Sequence, residues 1–283
     1  MLVGAALEED LGSGDVTTLA TIDAGVQARA VLRVRQDGVI AGLSIWGPLV
    51  SAFCGRNHPE EEAESLRLGA SVHDGAIVRA GDAACTIDGS ARALLIIERT
   101  FLNFVGRLSG IATLTRKYVD AVAAVSTRTH VLDTRKTTPG WRALEKYAVA
   151  CGGGTNHRMG LYDAILIKDN HIEAAGGIEN AVRRAIAYAP RGIRVEVECD
   201  TMDQVERALG VGATALLLDN FSPEQIEAAV RQIAGRARIE VSGGVSLETV
   251  ADYARSGVDE ISVGRLTHSA PSLDIALEVE LSV

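Results

Sequence analysis

Aromatic side chains are scarce in this 283-residue chain. Phe, Trp and Tyr make up 4% of it against a hydrophobic fraction of 47%, so its core must be built mainly from aliphatic residues. That apolar content excludes a disordered chain. Cysteine is rare as well: Cys54, Cys85, Cys151 and Cys199 are scattered and form no C-x-x-C pair. Neither a zinc site nor a disulfide framework follows from them, and free thiols in a reducing cytosol are expected. Positive charge is in deficit, with 28 Lys and Arg against 37 Asp and Glu and a net charge of −9. A nucleic-acid or anionic-membrane partner needs the opposite balance. Apolar runs such as Ala215–Leu218 are far too short to cross a bilayer. The first fifteen residues carry Glu8, Glu9 and Asp10 where a signal peptide has a basic region, which points to a cytoplasmic protein. No G-x-G-x-x-G follows the first strand-like run and no G-x-x-x-x-G-K-[ST] loop occurs, so the usual dinucleotide and P-loop folds are disfavoured.

The length allows two domains, or one barrel with an attachment, and a core that needs no staples. The chain changes character near residue 110. Before it, strand-like runs are short and turn-rich (Ala28 to Arg35, Gly38 to Gly42, Gly69 to Gly89), with turn signals at Asp74-Gly75 and Gly81-Asp82. From Ala93 to Val125, Leu94, Ile97, Phe101, Phe104 and Leu108 recur at helical spacing. After residue 128 six short β-branched or aliphatic runs follow: His130–Asp133, Ala164–Ile167, Arg194–Val197, Ala215–Leu218, Ile239–Val241 and Glu260–Val263. Helical stretches lie between them at Arg142–Ala150, Ile178–Ala189, Met202–Leu209, Pro223–Ile233 and Leu247–Ser256. This alternation predicts an α/β class with parallel strands and right-handed crossovers. Six or seven such units make an incomplete TIM-like barrel, with an open doubly wound sheet as the alternative.

In such barrels the loops after the strands converge on one mouth. Here they carry Asp133-Thr134-Arg135-Lys136, Lys168-Asp169-Asn170-His171, Glu198 and Asp200, Asp219-Asn220, Ser242-Gly243-Gly244 and Gly264-Arg265. The Cys151-Gly152-Gly153-Gly154 turn delivers His157 and Arg158. A mouth holding Arg135, Lys136, His157, Arg158 and Lys168, with Glu198, Asp219 and, as further candidates, Asp169 and Asp200 as anions, suits a small and highly anionic substrate. Arginine forks bind carboxylates by two parallel hydrogen bonds. The carboxylates suit ribose hydroxyls or a Mg²⁺ ion carried by a phosphate. Ser242-Gly243-Gly244, completed by Gly264, forms a phosphate cradle of backbone N–H groups, aided by the start of the following helix. No nucleophilic triad is present. Ser242 has no evident base, and Cys151 and Cys199 are assigned no catalytic role.

These segments resemble the quinolinate phosphoribosyltransferases. The matching pieces are EDLGSGDVTT (9–18), ERTFLNFVGRLSGIAT (98–113), LDTRKTTPGWR (132–142), YAVACGGGTNHRMGLYDAILIKDNHI (147–172), VEVECD (195–200), LLLDN (216–220), SGG (242–244) and VGRLTHSAPSLDIAL (263–277). The resemblance implies a type II phosphoribosyltransferase architecture. Residues 1–109 would form an N-terminal open α/β sandwich, joined by 269–283, and 110–268 the catalytic barrel. It also implies a homodimer or a multiple of dimers. The reaction would be Mg²⁺-dependent transfer from phosphoribosyl pyrophosphate to quinolinate with decarboxylation, giving nicotinate mononucleotide, pyrophosphate and CO₂ in NAD biosynthesis.

By the same resemblance, Thr134, Arg135, His157 and Arg158 bind substrate, with Arg135, His157 and Arg158 on the quinolinate carboxylates. Lys136 and Lys168 act on the pyrophosphate and the reacting carboxylate. Glu198 and Asp219 hold ribose hydroxyls, with Mg²⁺ near them through the substrate and no direct protein ligand. Lys136, Lys168, Glu198 and Asp219 are the catalytic set. Ser242, Gly243, Gly244, Val263, Gly264 and Arg265 surround the 5′-phosphate, and Arg99 crosses into a partner subunit's site. Two departures stand out. Family members usually carry more sequence before the EDLG segment, so Met1 reads as an internal or trimmed start. Arg265 stands where the family usually has a small residue, and either contacts phosphate or points to solvent. The nearest alternative is the molybdenum-transport-associated paralogue, which shares the T-R-K and G-G-G…H-R elements. It lacks the L-I-K-D-N-H run found at 166–171. A nicotinate phosphoribosyltransferase needs fewer cations for its acid, and a non-enzymatic phosphate sensor would not retain every charged motif residue.

Overall fold

The computed structural model describes residues 2–55 and 65–282. Met1, read above as an internal or trimmed start, lies outside the described residues. The chain divides into two compact units. One comprises Met1–Leu114, Thr138–Gly153 and Ala270–Val283; the other comprises Thr115–Thr137 and Gly154–Ser269.

The first unit is built on a four-stranded antiparallel sheet of β1 (Gln27–Val34), β3 (Arg67–Ala70), β5 (Ala83–Ser90) and β12 (Ile275–Ser282), in the order β12-β1-β5-β3. Period-two alternation buries Ala28, Ala30, Leu32 and Val34 of β1. On the opposite face Arg29 pairs with Asp88 at 2.7 Å and Arg33 with Glu278 at 3.0 Å. A short pair, β2 (Gly38–Val39) and β4 (Ile77–Val78), uses the expected turn at Asp74-Gly75. Near the start, where the sequence analysis assigned no element, α1 (Leu2–Leu11) and α2 (Val16–Thr21) are helical. α1 buries Val3 and Leu7 and packs against α3 (Trp46–Cys54), while the Asp15 carboxylate caps α2 by accepting the amides of Thr17 and Thr18. The long helix α4 (Ala91–Ala123) starts where the Ser90 hydroxyl accepts the Ala93 amide. α5 (Arg142–Cys151) groups with this unit.

The second unit holds six parallel strands: β6 (His130–Leu132), β7 (Ile165–Ile167), β8 (Val195–Cys199), β9 (Ala215–Asp219), β10 (Arg238–Ser242) and β11 (Glu260–Ser262). Their order is β6-β11-β10-β9-β8-β7, so β7 to β11 sit in chain order and β6 follows β11. This is the incomplete TIM-like barrel expected from the six runs, open between β6 and β7. The helices are α6 (Asp169–Ala175), α7 (Ile178–Tyr188), α8 (Met202–Gly210), α9 (Pro223–Ile233), α10 (Val250–Arg255) and α11 (Arg265–His268). Their starts follow local chemistry. Thr201 accepts the Gln204 amide before α8, and Ser222 and Gln225 form a capping box around Pro223 at the start of α9. α6 was expected to be loop; it forms because the His171 ring accepts the Lys168 amide and closes the first turn. α10 starts three residues later than expected, because Thr249 Oγ1 accepts the Ser246 amide and holds a separate turn. Among the described residues, no helix is long and apolar enough to cross a membrane.

All four cysteines are free, as their spacing predicts; Cys85 and Cys199 are buried. Burial pushes both thiols up to about 12. Neither should react with a thiol reagent near pH 8, about where a free cysteine titrates, until the protein unfolds. Mass mapping of labelled peptides checks this, and native-state labelling of Cys199 as fast as Cys54 would contradict it.

Candidate functional site

A cavity of about 690 Å³ opens at the carboxyl ends of the second unit's strands. It is lined by Thr134, Arg135, Lys136, His157, Arg158, Lys168, Glu198, Asp219, Ser242, Gly243, Gly244, Val263, Gly264 and Arg265. The site residues that the resemblance assigns are thus in one place except Arg99, which is exposed on α4. Asp169 and Asp200, named as further anions, do not line the cavity and are exposed. Asp169 starts α6, and Asp200 donates its amide to Gln204 at 2.7 Å.

Parallel-strand alternation sets the lining. Leu216 and Leu218 are buried away from the cavity, whereas Leu217 and Asp219 face it. At the barrel's open side, Thr155 bridges to β6: its amide donates to Val131 at 2.8 Å, and its carbonyl accepts from Asp133 at 3.2 Å. Asp133, buried at the end of β6, then accepts the His157 amide at 2.9 Å. Across the opening, Arg158 donates to the Ala164 carbonyl beside β7 at 3.2 Å. The glycine-rich turn therefore ends in a strand-like bridge that aims His157 and Arg158 inward.

The charged groups are organised in two ways. Near the mouth, Lys168 is paired with Glu198. Asp219 accepts from Ser242 at 2.5 Å and from the Asn220 side-chain amide at 2.6 Å. Arg158 has its pKa lowered by burial and then by the nearby positive charge of Arg135. Two guanidiniums that repel one another in a part-buried pocket favour an anion between them.

Deeper in the barrel lies an ionic network that sequence reading missed. Glu196 and Glu240 are buried within β8 and β10, and Glu260 is buried at the start of β11. Arg194 contacts Glu196 at 2.6 Å and Glu260 at 2.7 Å, Arg238 contacts Glu260 at 2.9 Å, and Ser262 donates to Glu240 at 2.6 Å. His157 Nε2 sits 3.4 Å from Glu196 and 3.3 Å from Glu240. Burial opposes charge on the ring, but hydrogen bonding to Glu196 and Glu240 more than offsets it and raises its pKa to about 9. The carboxyl of Glu240 is pushed up by its burial. The Arg158 amide donates to Nδ1 at 2.7 Å, an arrangement that requires the neutral ring and so opposes the charge that the two glutamates favour. In the neutral ring the proton lies on Nε2, facing the two carboxylates.

The Ser242-Gly243-Gly244 turn has positive φ at both glycines, +89° and +62°. A Cβ at Gly243 would stand 2.3 Å from the Asn220 side chain and 2.9 Å from its backbone nitrogen, so only glycine fits. The helix expected directly after this turn begins only at Val250, so the cradle rests on the turn's own N–H groups. Opposite it, Thr267 donates to the Lys136 carbonyl at 2.7 Å, and Lys136 packs against Gly264.

His157, Glu196 and Glu240 are also the one group of three metal-capable side chains found close together among the described residues. They pair with one another and Arg194 contacts Glu196, although Glu240 Oε2 has no hydrogen-bond partner among the described residues. Glu198 and Asp219, at the mouth, are hard oxygen donors that suit Mg²⁺. Each already holds a protein partner, which favours an ion brought in with a ligand over a closed cage.

Comparison with known proteins bears on the same surfaces. The quinolinate phosphoribosyl transferase N-terminal domain model matches residues 15–109, and the C-terminal domain model matches residues 111–278. The nicotinate-nucleotide pyrophosphorylase (carboxylating) of Mycobacterium leprae is 44% identical over 278 residues, covering 97% of this chain and 94% of its own. The probable enzyme of that name from Bacillus subtilis is 40% identical over 276 residues, covering 97% and 91%. The crystal structure of NadC from Streptococcus pyogenes superposes with a TM-score of 0.91 at 41% identity, covering 100% of this chain and 96% of that one.

Proposed function

The chain belongs to the quinolinate phosphoribosyltransferase family, with the type II phosphoribosyltransferase architecture, and from that premise we propose that it transfers phosphoribose to quinolinate and releases CO₂. The observation that carries this reading is the convergence of Arg135, Lys136, Arg158 and Lys168 on one cavity that also holds a glycine cradle. A dicarboxylate, a pyrophosphate and a 5′-phosphate need these groups together.

Arg135 and Arg158, with Thr134 beside them, take the quinolinate carboxylates, and His157, whose two ring nitrogens already have partners, orients Arg158. Ser242, Gly243, Gly244, Val263, Gly264 and Arg265 surround the 5′-phosphate. Glu198 and Asp219 accept from the ribose hydroxyls. The pyridine nitrogen attacks C1 of the ribose as the C1–O bond to pyrophosphate breaks through a cation-like sugar. Lys136 and Lys168 stabilise the charge on the departing oxygen, so catalysis is mostly positioning and electrostatics. The quaternary nitrogen then draws the electron pair left when the adjacent carboxylate departs as CO₂, and a proton replaces it on carbon. Mg²⁺, held with the substrate near Glu198 and Asp219, would neutralise pyrophosphate charge. The enzyme works in the cytoplasm as a homodimer or a multiple of dimers, with exposed Arg99 reaching the partner's cavity.

Purified protein, phosphoribosyl pyrophosphate and Mg²⁺ should convert quinolinate to equal amounts of nicotinate mononucleotide and CO₂, and should leave nicotinate untouched. Chelating the metal should stop turnover. Nucleotide from nicotinate, or no turnover by a folded sample, would overturn the reading.

A further inference from the structure

The ionic network inside the barrel reaches the cavity at His157, Glu240 and Ser262, but not at Glu196. Glu196 is 1% exposed and does not line the cavity, so it cannot touch a bound substrate. Yet its carboxylate stands 3.4 Å from Nε2 of His157, which does line it. Glu240, two strands away on β10 and itself at the cavity wall, stands 3.3 Å from the same nitrogen and is fixed by the Ser262 hydroxyl. A buried carboxylate is costly unless it is paired, and two facing one ring cost more still. Arg194 offsets part of that cost by contacting Glu196 and Glu260.

An aliphatic pair at these positions would fill the barrel without such compensation. What the two carboxylates add is a fixed ring. With Nε2 held from two sides and Nδ1 accepting the Arg158 amide, the imidazole has little freedom to turn. The backbone that carries the Arg158 guanidinium is tied to the same ring.

We propose that Glu196 and Glu240 are positioning residues for the acid-binding half of the cavity, acting through His157 on the orientation of both His157 and Arg158. This rests on the assignment of that half to quinolinate. Glu196 does not line the cavity, so it meets neither substrate and acts only through the ring. Arg194, outside the cavity, balances the charge that keeps the pair buried.

Glu196→Gln tests this with almost no change of shape. It should raise the quinolinate KM about tenfold, the scale of one charge-assisted hydrogen bond, with kcat and the phosphoribosyl pyrophosphate KM within about twofold of wild type. Calorimetry should show the same loss in quinolinate affinity without turnover. An unchanged quinolinate KM, or equal rises in both KM values, overturns the proposal. Should Glu196→Gln fail to fold, Glu240→Gln reads the same split. Should both fail, proton NMR of the wild type decides: an imidazole N–H resonance protected from exchange, absent in His157→Gln, is expected, and its absence overturns the proposal. Wild-type turnover separates the two layers. If the wild type neither binds nor converts quinolinate, the functional reading fails; if it does and the variants match it, only the positioning role fails.

Discussion

Arg158→Ala should lower kcat/KM for quinolinate by roughly 30-fold to a few thousand-fold, the range set by about 2–5 kcal/mol for removing one partner of a desolvated charge pair. Arg158 is part-buried, and its pKa is held down by burial and by Arg135. That combination means the guanidinium is under-neutralised in the free protein and gains most when an anion arrives. A carboxylate bound alike in ground and transition states should appear as a raised quinolinate KM with kcat nearly held. The KM for phosphoribosyl pyrophosphate should stay close to wild type.

Arg158→Lys should recover only part of the loss, since lysine restores the charge but not the two-pronged geometry. The loss of the hydrogen bond to Ala164 at 3.2 Å costs about 1.5–3 kcal/mol of stability, which leaves a folded variant in a domain of ordinary stability. Unchanged quinolinate kinetics would refute the assignment of Arg158 to the acid.

Much of this site was legible because barrel strands end in abrupt changes of residue type. Asp133, Lys168, Glu198, Asp219, Ser242 and Gly264 each close an aliphatic run, and one topology brings all six ends together. The strand interiors were harder to read. Val195-Glu196-Val197-Glu198 alternates as a half-exposed strand would, yet both glutamates point into the barrel and Glu196 is buried. Alternation reports two different faces; it does not say that the polar one meets solvent. Glu240 and Glu260 were hidden for the same reason, inside runs taken as apolar. Such burial becomes sensible only once Arg194 and His157 are placed, and the contacts that Glu240 and Glu260 make with them span 46 to 83 residues of sequence. The start of α6 was missed because His171 reads as a polar loop residue until its ring is seen to accept a backbone amide. Arg99 carries no local sign of function: an exposed arginine on a helix is ordinary, and only family resemblance singled it out.

Gly110→Ala should destabilise the protein, although alanine is the better helix former. Gly106 and Gly110 lie one turn apart on α4, and the segment after α11 crosses that face. The Leu273 amide donates to the Gly106 carbonyl at 2.9 Å, and Arg107 donates to the Ala270 carbonyl at 2.7 Å, so the crossing chain is held tightly. A Cβ on Gly110 would stand 1.9 Å from the Pro271 oxygen and 2.9 Å from both the Pro271 carbonyl carbon and the Ser272 Cα. These are backbone atoms, which cannot rotate away as a side chain would. Helix propensity returns about 1 kcal/mol. Overpacking against backbone costs about 3 kcal/mol or more. A net loss of about 2 kcal/mol corresponds to a Tm lower by roughly 4–8 °C. Gly47→Ala is the matched control, because Gly47 is in helix α3 with nothing within 4 Å of its would-be Cβ. It should leave Tm unchanged or raise it. Equal melting temperatures for the two variants would mean that the C-terminal segment does not lie against α4 as described. A selective loss in Gly110→Ala would identify the close approach, rather than the intrinsic cost of glycine in a helix, as the reason this position lacks a side chain.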